Sequence, residues 1–104
     1  MDKISEIDEI SKKQRVVVMV GASWCGPCKL KKPTFLQIKE KYPHIHMEFI
    51  DSDDHPEFKT EHLVQKLPTF IAFEDGLEKA RYEGAKQTSA QLETFILSNQ
   101  RDIS

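Results

Sequence analysis

The sequence predicts an α/β fold in which a central mixed sheet is flanked by about four helices. The first observation is the run of β-branched apolar residues at 16–20, which is typical of a central strand buried on both faces. The second is the alternation of strand-like and helix-like segments, which predicts parallel strands joined by right-handed crossovers. The third is the turn sequence Glu74-Asp75-Gly76, which predicts a hairpin and an antiparallel edge strand.

Length and composition restrict the possible classes of protein. The 104 residues are enough for one domain and too few for two, so we expect a single domain over residues 1–104. The net charge is only −2, which argues against nucleic acid or a membrane surface as the main partner. The charged N-terminus lacks the apolar core of a signal peptide, so we expect a cytoplasmic protein whose thiols are kept reduced.

The first half of the chain predicts two helices and two strands. Ile4, Ile7 and Ile10 recur at helical spacing, which predicts a helix that ends near Lys13 and has Asp2 or Ser5 as its N-cap. Gly21 ends the strand at 16–20, and a second helix is predicted from about residue 28 to residue 42. We expect its buried stripe to contain Leu30, Phe35, Leu36 and Ile38. The second strand is predicted at 46–50.

The second half predicts a short helix, a hairpin and a final helix. The short helix is expected at 55–64, with Asp54 as its cap and Pro56 at its first position. Strands are predicted at 69–73 and 77–82, and Thr88 or Ser89 is expected to cap the last helix. The total is four strands, with a fifth strand formed by the residues before Ser5 as the alternative.

The candidate reaction centre is Cys25-Gly26-Pro27-Cys28, which lies where a strand ends and a helix begins. The unpaired N–H groups and the dipole of a helix N-terminus favour a thiolate, and the thiolate is the nucleophile in thiol–disulfide exchange. We expect Cys25, the outer residue, to attack a disulfide. Cys28, inside the first turn, is expected to be more buried and to resolve the mixed disulfide.

Two other interpretations of the cysteine pair stay open at this point. The cysteines could be neighbouring core residues without chemistry, or they could be half of a zinc site. A zinc site needs two further ligands, and the chain contains no second cysteine pair. We interpret the four histidines as surface residues and expect no metal and no cofactor; they are His44, His46, His55 and His62.

The segment Trp24-Cys25-Gly26-Pro27-Cys28-Lys29 resembles the active-site signature of thioredoxins. The resemblance covers nearly all of residues 16–99. Glutaredoxins usually carry Pro-Tyr between the cysteines and disulfide isomerases Gly-His, so Gly-Pro indicates the reducing branch of the family. The resemblance continues at Pro33, Leu67-Pro68-Thr69, Gly76 and Gly84-Ala85.

The resemblance implies a thioredoxin-like fold and a substrate-binding surface around the cysteines. Pro68 would be a cis-proline that faces the cysteine pair, and the backbone of Leu67 would pair with an extended substrate segment. The alternative is that Pro68 starts a strand in the trans form. The apolar contact surface implied by the family is made of Trp24, Gly26, Pro27, Leu67, Gly84 and Ala85.

Three positions depart from the thioredoxin pattern. Met19 stands where thioredoxins usually have a buried aspartate, and Gly21 stands where they commonly have an aromatic residue. A lysine often found near that aspartate would fall close to Phe49, so the charged pair is lost as a unit. Since Met19 cannot accept a proton, we expect Cys28 to be deprotonated by water or by the leaving thiolate.

The predicted function is reduction of protein disulfides by a Cys25/Cys28 dithiol. The implied partners are disulfide-containing proteins and a recycling thioredoxin-type reductase, and the protein is expected to be a monomer. Two alternatives follow from Met19 and Gly21. The chain could be a thioredoxin-like module that binds a partner, or a dedicated electron donor to one enzyme with weak general reductase activity.

Overall fold

A four-stranded mixed sheet forms the centre of the protein. The computed structural model describes residues 2–98, and its strands are β1 (Val16–Gly21), β2 (His46–Asp51), β3 (Thr69–Glu74) and β4 (Leu77–Glu83). The strand order is β2-β1-β3-β4, with β1 parallel to β2 and the other two pairs antiparallel. The prediction of a four-stranded mixed sheet is therefore confirmed, and Lys3 and Ile4 belong to a helix instead of a fifth strand.

Four helices cover the two faces of this sheet. They are α1 (Lys3–Ser11), α2 (Gly26–Lys41), α3 (Pro56–Glu61) and α4 (Ser89–Ser98). One buried cluster joins α2 and α4 to the sheet, and a second cluster joins α1 and α3 to the opposite face. The described residues therefore form three layers, with the sheet in the middle.

Strand β1 is buried on both faces, as its apolar run predicts. Val17 and Met19 belong to the cluster beneath α2 and α4. Val16, Val18 and Val20 belong to the cluster beneath α1 and α3. Because successive side chains of a strand point to opposite faces, one continuous apolar run supplies both cores.

Side-chain caps fix the starts of α1 and α4. The Asp2 carboxylate accepts a 2.8 Å hydrogen bond from the Ser5 N–H, which decides between the two predicted caps of α1. At α4, Thr88 Oγ1 accepts from the Gln91 N–H, and Gln91 Oε1 accepts from the Thr88 N–H. This reciprocal pair is a capping box.

The hairpin between β3 and β4 has the predicted turn. Its two loop residues, Asp75 and Gly76, both have positive φ angles, of 55° and 78°. Two consecutive left-handed residues characterise the type I′ turn, whose twist matches that of the flanking strands. The Gly76 N–H also donates a 2.8 Å hydrogen bond to Ser11 Oγ, so the hairpin is tied to the end of α1.

The predicted cap and length of α3 are wrong, although Pro56 is its first residue as predicted. Asp54 is not its cap, since His55 holds that position and makes no capping hydrogen bond with its side chain. The reason is a turn in which the Asp51 carbonyl accepts from the N–H groups of Asp54 and His55. Asp54 therefore belongs to this turn and lies before the N-cap of the helix. The helix ends at Glu61, and Leu63 adopts a left-handed φ of 51°.

Two members of the predicted buried stripe of α2 are exposed. Phe35 and Ile38 are buried, but Leu30 is 78% exposed and Leu36 is 39% exposed. Cys28, which is buried, defines the inner face together with Phe35 and Ile38. Leu30 follows Cys28 by about half a helical turn and therefore lies on the opposite side.

Candidate active site

The two cysteines lie at the junction of β1 and α2. Cys25 is the N-cap of α2, Gly26 and Pro27 begin the helix, and Cys28 lies in its first turn. The sulfurs are joined in a disulfide, and the two Cα atoms are 5.3 Å apart. Pro27 is accommodated because the first N–H groups of a helix have no intrahelical acceptor. The predicted strand–helix junction is therefore confirmed.

The helix N-terminus makes the surroundings of Cys25 favourable for negative charge. The Cys28 N–H points at Cys25 Sγ, at 3.3 Å from nitrogen to sulfur. This N–H and the positive end of the helix dipole both stabilise a thiolate at that sulfur. Cys25 is 6% exposed and Cys28 is 1% exposed, so Cys25 is the more accessible of the two.

Trp24 projects into solvent beside the cysteines. Its side chain is 66% exposed, and its indole Nε1–H donates a 2.8 Å hydrogen bond to Asp53 Oδ2. Asp53 was not identified from the sequence as a site residue. A usable signal exists, because Asp53 follows β2 and the carboxyl ends of parallel strands β1 and β2 meet at the same edge of the sheet.

The Leu67-Pro68 peptide bond is cis, as the sequence resemblance implies. Leu67 is half-buried and packs against the core cluster that contains both cysteines. The Pro68 carbonyl accepts a 2.7 Å hydrogen bond from the Gly84 N–H. This bond brings the segments Leu67-Pro68 and Gly84-Ala85 together, and Gly84 has a φ of 86° that favours glycine.

Gln87 holds the Gly84 segment in place. Its side chain is 2% exposed, and its Nε2–H donates a 3.0 Å hydrogen bond to the Gly84 carbonyl. The Gln87 carbonyl in turn accepts from Lys31 Nζ on α2. Sequence reasoning missed Gln87, because a glutamine between a glycine and a helix cap is normally a surface residue.

Met19 lies in the core beneath the cysteines. Its side chain has no solvent exposure, and it belongs to the same buried cluster as Cys25 and Cys28. Phe49 is its partner in the parallel pairing of β1 and β2. The other buried members of this cluster are all apolar, so the described core offers the cysteines no buried carboxylate. This agrees with the departure expected at Met19 and Phe49.

The described residues suggest no metal site and no membrane span. Residues 2–98 contain no group of three or more histidine, cysteine or acidic side chains that could hold a metal ion. His46 Nε2 lies 3.0 Å from Glu48 Oε1, so this histidine has a protein partner. Within the same range, no helix has both the length and the apolar character needed to cross a bilayer.

The chain is similar to thioredoxins in sequence and in structure. The family model described as Thioredoxin matches residues 5–98. Thioredoxin of Mycoplasma genitalium is 32% identical over 93 residues, which are 88% of this chain and 91% of that protein. Thioredoxin of Callithrix jacchus is 35% identical over 97 residues, which are 91% and 92% of the two chains. The solved structure of Fasciola hepatica thioredoxin superposes with a TM-score of 0.84 at 27% identity, covering 93% of this chain and 91% of that one.

Proposed function

The chain belongs to the thioredoxin family and is a thiol–disulfide oxidoreductase, and on this premise we propose that it reduces protein disulfides with Cys25 as nucleophile and Cys28 as resolving thiol. The single observation that carries these roles is the position of Cys25 as the N-cap of α2. At that position the sulfur receives the Cys28 N–H and faces the helix dipole. Its greater exposure makes it the first thiol that a protein disulfide reaches.

The reaction consists of two exchanges. The Cys25 thiolate attacks one sulfur of a substrate disulfide, a new S–S bond joins Cys25 to the substrate, and the other substrate sulfur leaves as a thiolate. Cys28 then loses its proton and attacks Cys25 Sγ. The Cys25–Cys28 disulfide forms, the mixed disulfide breaks, and the second substrate sulfur leaves as a thiolate. The dithiol has supplied two electrons to the substrate.

The surface around Cys25 suits an extended peptide. We propose that the Leu67 backbone pairs with the substrate main chain in the manner of a strand. The hydrogen bond between Gly84 and Pro68 supports a continuous contact surface, because it fixes two segments of that surface relative to each other. The proposed substrate-binding residues are Trp24, Gly26, Pro27, Leu67, Pro68, Gly84 and Ala85.

Turnover requires a partner that returns the disulfide to the dithiol. We propose a thioredoxin-type reductase for this step, a monomeric working form, and a reducing compartment such as the cytoplasm. A reducing compartment is consistent with the role, since a reductant is useful only where the cell regenerates its thiols. In that setting the protein would carry electrons from the reductase to protein disulfides and contribute to cellular redox homeostasis.

The apolar core beneath the cysteines favours a narrower second candidate. Without a buried carboxylate near Cys28, resolution of a general mixed disulfide is expected to be slow. A dedicated donor to one enzyme uses the same exchanges, and its cognate partner could offset a slow resolving step by tight binding. Comparable reduction of several unrelated disulfide proteins would argue against such a dedicated role.

Insulin reduction with single-cysteine variants tests the assigned roles. We expect both Cys25→Ser and Cys28→Ser to lose turnover, since each removes one of the two exchanges. Cys28→Ser should accumulate a mixed disulfide through Cys25, whereas Cys25→Ser should trap little because its remaining thiol is buried. Retained turnover in Cys25→Ser would contradict the proposal, and trapping by Cys25→Ser alone would reverse the two roles.

A further inference from the structure

A cavity of about 230 Å³ lies beside the resolving cysteine. It is bounded by the residues that follow β1, by the first turns of α2 and by the end of β2. Cys28, Lys32, Phe49 and Asp51 line it. A water molecule occupies roughly 30 Å³ in the liquid, so the cavity is large enough for several waters.

Gly21 and Phe49 shape the wall of the cavity next to the sulfur. A Cβ atom at Gly21 would lie 2.9 Å from the Phe49 ring and 3.0 Å from Cys28 Sγ. These separations are shorter than van der Waals contact, so a side chain at this position would displace the ring or the sulfur. The absence of the family's aromatic residue at Gly21 therefore allows Phe49 to approach Cys28 from the neighbouring strand.

Lys32 places a positive charge on the same side of α2 as Cys28. The two residues are four positions apart, so their side chains lie on one helix face. Lys32 Nζ is 4.1 Å from the centroid of the Phe49 ring, which is the geometry of a cation–π contact. The ammonium group is thereby held over Phe49, which lines the same cavity as Cys28.

Asp51 supplies the carboxylate that lines the cavity. It is the last residue of β2 and the register partner of Gly21, and it is half-buried. Ser52, the next residue, donates its N–H to the Gly21 carbonyl at 2.8 Å, which holds the ends of β1 and β2 together. Asp51 Oδ1 accepts from the Asp53 N–H at 2.8 Å, and within residues 2–98 no hydrogen bond engages Oδ2.

The resolving step needs a destination for the Cys28 proton. Met19 cannot accept it, and the buried residues around the two cysteines are apolar. The cavity is the opening that the structure places against Cys28, and Asp51 is the carboxylate that lines it. A half-buried carboxylate can also return the proton to bulk water after the reaction.

We propose that Asp51 accepts the Cys28 proton through water in this cavity and that Lys32 stabilises the resulting thiolate. In this step the Cys28 S–H bond breaks and the proton passes through water to the carboxylate. The sulfur electron pair forms the Cys25–Cys28 bond, the mixed disulfide breaks, and the substrate sulfur leaves with its electron pair. The proposal rests on the roles assigned above to Cys25 and Cys28.

Two other charged groups face this position. Lys29 lines the cavity from α2, and Asp53 contacts Asp51 from the loop that follows β2. Asp53 also accepts from the Trp24 indole, so its carboxylate is engaged at the surface. The variants must therefore distinguish the effect of Asp51 from that of Asp53. The exposed Asp54, three residues after Asp51, provides a matched control.

A single-turnover reaction with the aromatic disulfide 5,5′-dithiobis(2-nitrobenzoate) tests the proposal. Attack by Cys25 releases one coloured thiolate, and resolution by Cys28 releases the second, so the two steps appear as separate phases in a stopped-flow trace. For Asp51→Asn we expect an unchanged first phase. The second phase should slow by at least about tenfold, because general-base catalysis contributes roughly 10²–10⁴-fold. The dependence of the second-phase rate on pH should also differ from that of the wild type.

Control variants make the outcome specific. Asp54→Asn should leave both phases unchanged, Asp51→Glu should retain most of the second phase, and Lys32→Gln should slow the second phase alone. An unchanged second phase and pH profile in Asp51→Asn would overturn the proposal, as would equal rates for Asp51→Asn and Asp51→Glu. If Cys25→Ser still gave the first phase, the assigned roles would fail instead, so the two failures are distinguishable.

Discussion

Met19 and Phe49 are cross-strand partners in the parallel pair β1–β2, and the Met19 side chain is fully buried beneath the reactive cysteines. Two apolar residues thus stand side by side where thioredoxins usually have a charged pair. This relationship has consequences for stability and for catalysis, because the core around Cys28 is built without a titratable acid in the described residues.

A buried carboxylate at position 19 should destabilise the fold and alter the catalytic pH profile. We expect Met19→Asp to lower the free energy of unfolding by more than about 2 kcal/mol at neutral pH, because an unpaired charge would be buried. Burial raises the pKa of a carboxyl group above its unfolded value of about 4. The loss of unfolding free energy should therefore grow as the pH rises from about 4 toward the raised pKa of the folded state. Urea unfolding at several pH values measures this effect.

Met19→Leu is the control for that experiment and should cost less than about 1.5 kcal/mol, since it conserves volume and polarity. The Asp variant should also change the rate of insulin reduction or add an inflection to its pH profile. An unchanged rate and profile in Met19→Asp would contradict the view that this position affects the Cys28 proton.

The Trp24 indole should depend on Asp53 for its orientation. The chain has one tryptophan, so its indole fluorescence reports the surroundings of Trp24, which include this contact. We expect Asp53→Ala to shift that fluorescence and to lower kcat/KM for insulin several-fold, while the free energy of unfolding changes by less than about 1 kcal/mol, because the hydrogen bond is exposed. Asp54→Ala should leave both observables unchanged. Equal effects of the two substitutions would indicate a general charge effect instead of the Trp24 contact.

Arg15 should contribute strongly to stability through α4. Its buried guanidinium donates to the Ile96 carbonyl at 2.7 Å and the Phe95 carbonyl at 3.4 Å, and Nη1 lies 3.8 Å from Glu74 Oε1. We expect Arg15→Met to lower the free energy of unfolding by about 2–4 kcal/mol, since it leaves carbonyls near the helix end without this donor. The exposed Lys13→Met should change it by less than about 0.5 kcal/mol. A similarly small change in Arg15→Met would be inconsistent with this role.

His62 should make stability depend on pH. Its ring centroid lies 4.4 Å from that of Phe58 and 5.2 Å from that of Phe73. Burial lowers the pKa of His62 below its ordinary value of about 6.5, although Glu78 and Glu61 oppose the shift. The unfolded chain therefore binds a proton at His62 more readily than the folded protein does. The contribution of neutral His62 to the free energy of unfolding is complete above about pH 6.5 and is lost as the pH falls below that value.

Urea midpoints between about pH 5 and pH 8 measure the His62 effect. The part of the slope of urea midpoint against pH that is due to His62 should disappear in His62→Phe. It should persist in His44→Gln, because His44 is exposed. The effect should be smaller than about 1 kcal/mol, because the ring is half exposed and solvent screens its charge. The same slope in wild type and His62→Phe would show that another group causes the dependence.

The fold could be predicted largely because its strongest signals are local. The apolar run at β1, the Asp75-Gly76 turn and the Thr88 cap each act through a few neighbouring residues, and each is found where the sequence places it. The exposure of Leu30 could not be predicted in this way. It depends on which side of α2 faces the sheet, and Cys28 determines that side because its side chain is part of the core.

The cysteine pair was also apparent from local sequence, but its surroundings were not. Asp51 and Asp53 come from the end of β2 and the loop after it, where Asp51 lines the cavity and Asp53 accepts from Trp24. Gln87 comes from the segment before α4 and donates to the Gly84 carbonyl. The strand ends indicate that Asp51 and Asp53 lie at the same edge of the sheet as the cysteines. Their individual contacts and the burial of Gln87 could not be predicted, because polar residues near loops usually face solvent.

The reduction potential of the Cys25–Cys28 pair tests the central assignment most directly. The protein would be equilibrated with defined ratios of reduced and oxidised dithiothreitol, and the fraction of dithiol would be read by thiol alkylation. A protein-disulfide reductase predicts a low potential, close to the roughly −270 mV that is characteristic of thioredoxins. A strongly oxidising value, near the roughly −120 mV of proteins that introduce disulfides, would contradict the assignment.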